Sequence, residues 1–307
     1  MSNVVKGVVL SILASCLFGL LYYYPVVLRP LTTVEIFCWR LLMSLPAIAL
    51  LITVERRWSA VVELFMRVKQ KPVFFLALVL NAAMLSVQMI LFIWAPLNGR
   101  ALSTSLGYFI LPLVMVVCGR FIYKERFSFF QKIAIGLAVI GVALEIYITN
   151  AFSWETATAA IGYPIYFIFR REMKIDGIAG VFSDFLFITI GCLIYMLTQY
   201  EMSKIIADFM QFSFYIPMLG IITAIAFAAY FTSCKLLPLG LFGLLGYVEP
   251  VLLAIVSVLF LNETISSEHI FSYGLIWLAV CVLVLEGTIY TILSIKRKRI
   301  NNIRNKV

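Results

Sequence analysis

The chain has 307 residues, 63% hydrophobic and 13% charged, with a mean hydropathy of +1.05. A soluble domain of this length could not hide that much apolar surface, so the composition excludes a water-soluble enzyme or binding module and points to a polytopic membrane protein. The net charge of +9 does not signal a nucleic-acid partner, because the bases sit in short loops and at the C-terminus without interleaved aromatics.

A helix needs about 20 apolar residues to cross the hydrocarbon core. In chain order this gives ten spans, at 7–28, 33–54, 73–94, 102–122, 129–148, 156–171, 178–198, 213–236, 240–261 and 268–293. The first runs on with no small-residue cleavage site, so it is expected to stay as a membrane helix and not leave as a signal peptide. The sixth is short, holds Gly162 and Pro164, and ends in Arg170-Arg171. Short loops between the spans leave no room for a soluble domain.

The bases set the orientation. With a cytoplasmic N-terminus, twenty Lys and Arg fall in inside segments and three (Arg29, Arg100, Lys204) outside, while Arg40 lies within a span. The expectation is a bacterial inner-membrane protein with both termini cytoplasmic. The run Lys296-Arg297-Lys298-Arg299 is read as a lock for the last helix against anionic headgroups, with an interaction tail as the other reading.

An internal repeat organises the spans. Leu106-Gly107-Tyr108 with Pro112 and Glu125 recurs as Leu245-Gly246-Tyr247 with Pro250 and Glu263. In both copies the Glu follows the Pro by thirteen residues, and a glycine (Gly136, Gly274) follows eleven later. Spans 1–5 (residues 1–150) form one half and spans 6–10 (residues 151–307) the other. Five is odd, so the halves must be inverted, the arrangement of many secondary transporters. The expected fold is an all-α membrane protein of ten transmembrane helices in two inverted five-helix repeats.

Several segments carry a resemblance. Glu35-Ile36-Phe37-Cys38-Trp39-Arg40, Ala95-Pro96-Leu97-Asn98-Gly99, Leu106-Gly107-Tyr108-Phe109 and Gly162-Tyr163-Pro164-Ile165-Tyr166 resemble the RarD branch of the EamA group, within the drug/metabolite transporter superfamily. The resemblance implies the same ten-helix inverted fold in a bacterial inner membrane. It also implies export or exchange of small metabolites, and the branch name carries a link to chloramphenicol sensitivity.

Ionisable groups within spans mark candidate sites, since each costs about 2.5–3.5 kcal/mol at the helix centre and usually faces a cavity or a partner. Glu249 sits mid-span beside Pro250, and the first half has only Ile110 or Leu111 there. It is read as a substrate or proton site, against a neutral carboxyl bonded to a neighbouring helix. Arg40 is read as a contact for a substrate carboxylate or the fixed partner of Glu249 or Asp184; its third reading is a side chain reaching to the external interface. Asp184 is divided between function and pairing. Glu145 and Glu286, near span ends, are expected to be structural or interfacial, and Glu125 and Glu263, also at span ends, to cap a neighbouring helix or contact a loop.

Asn81, Met84 and Gln88 share one helix face, and Thr223, Phe227 and Tyr230 another. With Trp39, Tyr163, Tyr166, Tyr108 and Tyr247 they either line a cavity for an amphipathic or cationic molecule or simply pack the bundle. The expected partners are a small-molecule substrate and the lipid bilayer. The six cysteines all lie in apolar segments, no Cys-x-x-Cys pair exists, and the single histidine, His269, is expected in an external loop. Neither a metal nor another cofactor is expected. With no Walker or phosphate loop, pumping must draw on an ion gradient or exchange. A transporter is the leading reading, for drugs or metabolites with proton coupling, or for an amino-acid-like zwitterion without it. An intramembrane lipid enzyme and a non-transporting sensor are the competing classes.

Overall fold

The computed structural model describes residues 3–97, 101–149, 153–175, 177–250, 252, 268–279, 281–282 and 285–286. Among them every assigned element is an α-helix: α1 Asn3–Val27, α2 Thr33–Val54, α3 Trp58–Gln70, α4 Val73–Leu97, α5 Ala101–Phe121, α6 Phe129–Thr149, α7 Trp154–Glu172, α8 Gly177–Gln199, α9 Met202–Gln211, α10 Tyr215–Leu236 and α11 Leu239–Leu245. The backbone is also helical over 248–250 and 268–279.

In hydrocarbon each backbone polar group must find its partner within the chain, so long apolar runs become helices. Their ends follow local chemistry. Thr32 and Glu35 form a capping box at the start of α2, with N–H to side-chain oxygen distances of 3.3 and 2.7 Å. Ser128 and Gln131 do the same for α6, at 3.1 Å in both directions.

Six helices are long and apolar enough to cross a membrane among the described residues: α1, α2, α4, α6, α8 and α10. In α5 and the α11 region the apolar stretches are shorter, Gly107–Phe121 and Leu239–Pro250. Glu155, Arg170, Arg171 and Glu172 make α7 the least apolar of the long helices. Leu50, Leu76, Ile194 and Tyr147 are all more than half exposed on the outer surface, which suits a lipid solvent.

The structure departs from the sequence expectation in three places. First, the intervals expected as loops after α2 and α8 each hold a short one-sided helix. In α3, Val61 and Leu64 are buried while Trp58, Val62 and Met66 are exposed; in α9, Ile205 and Phe209 pack on the core while Met202, Ile206 and Met210 are exposed. A ruler of 20 continuous apolar residues misses short amphipathic helices that lie along an interface. Second, the ninth span is not one unbroken helix: α11 stops at Leu245 and helical backbone resumes at 248. Third, His269 lies on the helical stretch 268–279, where its Nδ1 is 3.0 Å from Glu145 Oε1 and Ser272 bonds the other carboxylate oxygen. Glu263, the rest of the ninth span and the basic tail lie outside the described residues.

Packing interleaves the two ends of the sequence. α1 packs on α10, α2 on α8 and α10, α4 on α7 and α8, and α5 on α7 and α11. Small residues allow this closeness in a membrane, where association relies on contact and not on water expulsion. At Gly220 of α10, an added Cβ would sit 2.5 Å from the carbonyl carbon of Met43 on α2.

Candidate functional site

The break after α11 builds the site. Pro250 has no N–H, so the Gly246 carbonyl cannot take the usual bond from four residues on. The Glu249 N–H reaches that carbonyl instead, at 3.3 Å. This places Glu249 and Pro250 on the wall of a cavity between the helices. Leu111 and Pro112, the first-half counterparts of the same stretch, also line it. Along this part of the wall the α5 side is apolar and the Glu249 side acidic.

Arg40 of α2 is the opposite charge on the same wall. Its Nε donates to Thr223 Oγ1 of α10 at 3.0 Å, and its guanidinium carbon lies 5.9 Å from the Phe227 ring centre. The Thr223 bond holds the side chain from one edge. Neither Arg40 nor Glu249 forms an ion pair among the described residues.

Aromatic rings complete the wall. Phe18 of α1 meets Phe227 at 5.2 Å and Tyr230 at 5.4 Å in edge contacts. Phe92 of α4 meets Tyr108 of α5 at 5.7 Å, and Tyr108 lies 6.4 Å from Tyr163 of α7. The Tyr108 hydroxyl is buried without a hydrogen-bond partner. The cavity is narrow, about 70 Å³, well below the ~300–1,000 Å³ of a filled ligand site.

Of the residues singled out from sequence, Arg40, Glu249, Tyr108, Tyr163, Phe227 and Tyr230 meet at this cavity. Gln88 sits beside it, its amide against Gly162 and next to Tyr163. The others lie elsewhere. Trp39 meets Phe209 of α9 in a tilted ring contact at 5.7 Å. Tyr247 is buried between α5 and α6, donating to the Phe109 carbonyl at 3.1 Å. Asn81, Asp184 and Tyr166 form a separate buried network: Asp184 accepts from Asn81 Nδ2 at 2.5 Å and from the Tyr166 hydroxyl at 2.8 Å. The cation of that network is Arg170, which binds Asp184 directly and donates to the Gly177 carbonyl at 3.0 Å. So Asp184 pairs with Arg170 and not with Arg40.

From sequence Arg170 is one of the cytoplasmic bases at the end of the sixth span. The available signal was its spacing of four from Tyr166, which puts both on one helix face. Phe18, Met89 and Phe92 also line the cavity, and nothing in their apolar surroundings distinguishes them. Outside the spans, Lys204 of α9 clasps Glu35 and lies 2.9 Å from Asp208. Its ammonium is raised above its ordinary value, first by the hydrogen bond to Glu35 and then by that to Asp208. Among the described residues no three His, Cys, Asp or Glu side chains gather as metal ligands would.

Comparison with known proteins places this architecture. Residues 156–285 match the EamA-like transporter family. The Chloramphenicol-sensitive protein RarD of Pseudomonas aeruginosa is 42% identical over 90% of this chain and 92% of its own. An uncharacterized transporter of Haemophilus influenzae is 36% identical over 94% of this chain and 96% of its own. A crystal structure 15% identical in sequence superposes with a TM-score of 0.63 over 91% of this chain and 98% of that one, which shows the shared fold. The Haemophilus influenzae relative is a transporter by name, and the matched family is one of transporters. The chain is a multi-pass membrane protein that belongs to the RarD branch of the EamA-like transporter family.

Proposed function

We propose that the protein is a secondary transporter that exports a small organic molecule by exposing the Arg40–Glu249 cavity alternately to the two sides of a bacterial inner membrane. The observation that carries this reading is the pair of opposite charges, unpaired among the described residues, facing one aromatic cavity between interleaved helices. Charges at membrane depth are costly and persist where they meet a ligand, an ion or each other.

The packing pattern supports two related halves. Exchange α1 with α7, α2 with α8, α4 with α10 and α5 with α11. The α2–α8 and α5–α11 contacts then map onto themselves. α1–α10 maps onto α7–α4, α2–α10 onto α8–α4, and α5–α7 onto α11–α1; all of these pairs are in contact. The short helices α3 and α9 each follow the second long helix of their half. Ten spans in two inverted halves, with both termini cytoplasmic, account for this order and for the sidedness of the bases. A cavity this narrow holds only a few heavy atoms, so a larger substrate requires the halves to part.

In this reading Arg40 holds a substrate carboxylate, Glu249 holds a cationic group or carries a proton, and Tyr108 and Tyr230 stack on the substrate. Asn81, Tyr166 and Asp184 brace Arg170 behind the cavity. Gln88 shapes the wall, and Trp39 and Tyr247 pack helices. A second reading is a facilitator or exporter of an amino-acid-like zwitterion without proton coupling. The presence of both charges on one wall favours it.

Purified protein in liposomes tests both. Flux of labelled amino acids, amphenicols and aromatic cations is measured with and without an inward proton gradient, beside Glu249→Gln and Arg40→Met. Gradient-dependent flux lost in Glu249→Gln supports proton-coupled export. Zwitterion flux that ignores the gradient yet needs both side chains supports the second reading. Flux untouched by either substitution would remove the cavity from the mechanism.

A further inference from the structure

One end of the bundle is closed by a polar cluster that the cavity does not use. There Glu125, just past α5, accepts the Leu239 N–H at 2.6 Å and the Gly240 N–H at 2.8 Å, the first amides of α11. Arg171, at the end of α7, donates to the carbonyls of Cys234, near the end of α10, and Leu237, just past it, at 3.1 and 3.2 Å. It also lies 3.9 Å from Glu125. Two charged side chains thus grip both strands of the α10–α11 corner.

Beneath this grip α11 runs along α5 on a glycine seam. An added Cβ at Gly119 would lie 2.8 Å from the Gly240 nitrogen, and one at Gly243 would lie 2.4 Å from Met115 Cβ. Such a seam lets backbones touch with little side-chain interlock, so the polar contacts at its end carry much of the hold. Between seam and cavity sit three rings: Phe167, Tyr230 and Phe242, with centroids 4.8 to 5.7 Å apart. Tyr230 is both part of this plug and part of the cavity wall. Because Tyr230 lies on α10 and Phe242 on α11, moving the α10–α11 corner off α5 and α7 would shift two of the three rings.

We propose that Glu125 and Arg171 are gating residues, the latch that keeps the cavity closed toward the end of the bundle where α5, α7 and α10 terminate. Glu125 therefore does more than cap a helix: it sets how often the cavity opens to one side. This rests on the reading of the cavity as the transported molecule's site, but its test does not need a known substrate.

The test uses a cysteine-free background carrying Met89→Cys on the cavity wall. A maleimide that cannot cross the bilayer is applied to membrane vesicles of each sidedness. Glu125→Gln and Arg171→Gln are each expected to raise labelling from the latched end by roughly tenfold, the effect of losing about one charge-assisted hydrogen bond. Labelling from the opposite end should fall or stay level. In parallel, amide exchange at residues 239–240 is followed in the native-cysteine protein. Faster exchange with unchanged labelling would reduce Glu125 to a structural cap and overturn the proposal. Unchanged labelling in both variants overturns it too. If Glu125→Gln does not fold, Arg171→Gln decides alone, since its hydrogen-bond acceptors are main-chain carbonyls. Raised labelling in both variants, in a protein that moves none of the labelled probes, would uphold the latch and count against the transport reading of the cavity.

Discussion

Consider removal of the Asp184 carboxylate. In the native protein Asp184 and Arg170 are 0% and 4% exposed, and they bind each other directly. Asp184→Ala would leave the guanidinium in place, held to Tyr166 at 2.8 Å and Gly177 at 3.0 Å but without a counter-charge. The Asn81 amide and the Tyr166 hydroxyl would each lose their acceptor as well. Breaking one side of a buried ion pair costs about 3–5 kcal/mol, because the stranded charge cannot be rehydrated. For a chain of this size that lowers the unfolding temperature on the order of 10 °C. The remaining groups are not independent, so their losses do not simply add. The informative comparison is the double variant Arg170→Met with Asp184→Leu. It removes both charges and fills the volume with apolar atoms, so it should recover most of the loss. The assay is thermal unfolding of the detergent-purified protein, scored by retention of the monodisperse elution peak after heating. A single variant melting within about 2 °C of the native protein would refute the reasoning. So would a double variant no more stable than the single one.

Two further outcomes follow from contacts and charge. Gly220→Ala should destabilise by about 1–3 kcal/mol, since its Cβ would meet the Met43 backbone, whereas Gly136→Ala, with nothing within 4 Å, should be neutral or gain up to about 1 kcal/mol; equal melting temperatures for the two would contradict the packing. The Lys204 clasp has a sign fixed by its raised value: it is fully present below the ordinary 10.5 and is lost as pH climbs through the higher folded value. Melting temperature should therefore drop more steeply between about pH 10 and 12 in the native protein than in Lys204→Met; parallel curves would show that the clasp contributes nothing to stability.

Most of the architecture was legible in the chain itself, because a bilayer leaves few options. Apolar runs of about 20 residues must be helices, and their spacing fixed the positions of α1, α2, α4, α6, α8 and α10. Membership of the RarD branch was carried by local segments around Trp39-Arg40 and Leu106-Gly107-Tyr108. The cost of burying charge singled out Glu249 and Arg40 before any contact was known, and both line the cavity.

Partnership was decided only by tertiary structure. Arg170 looks from sequence like a loop base at the end of a short span, yet folding turns it inward onto Asp184, leaving Arg40 without that partner. Tyr108 and Tyr247 each end a Leu-Gly-Tyr motif, but one faces the cavity and the other the Phe109 carbonyl. Phe18 and Phe92 carry no local mark, and only the meeting of α1, α4 and α10 gives them a role. Hydropathy is a property of a segment and can be read along one helix. Which face meets which neighbour depends on residues far apart in the chain, and that was settled when the helices interleaved.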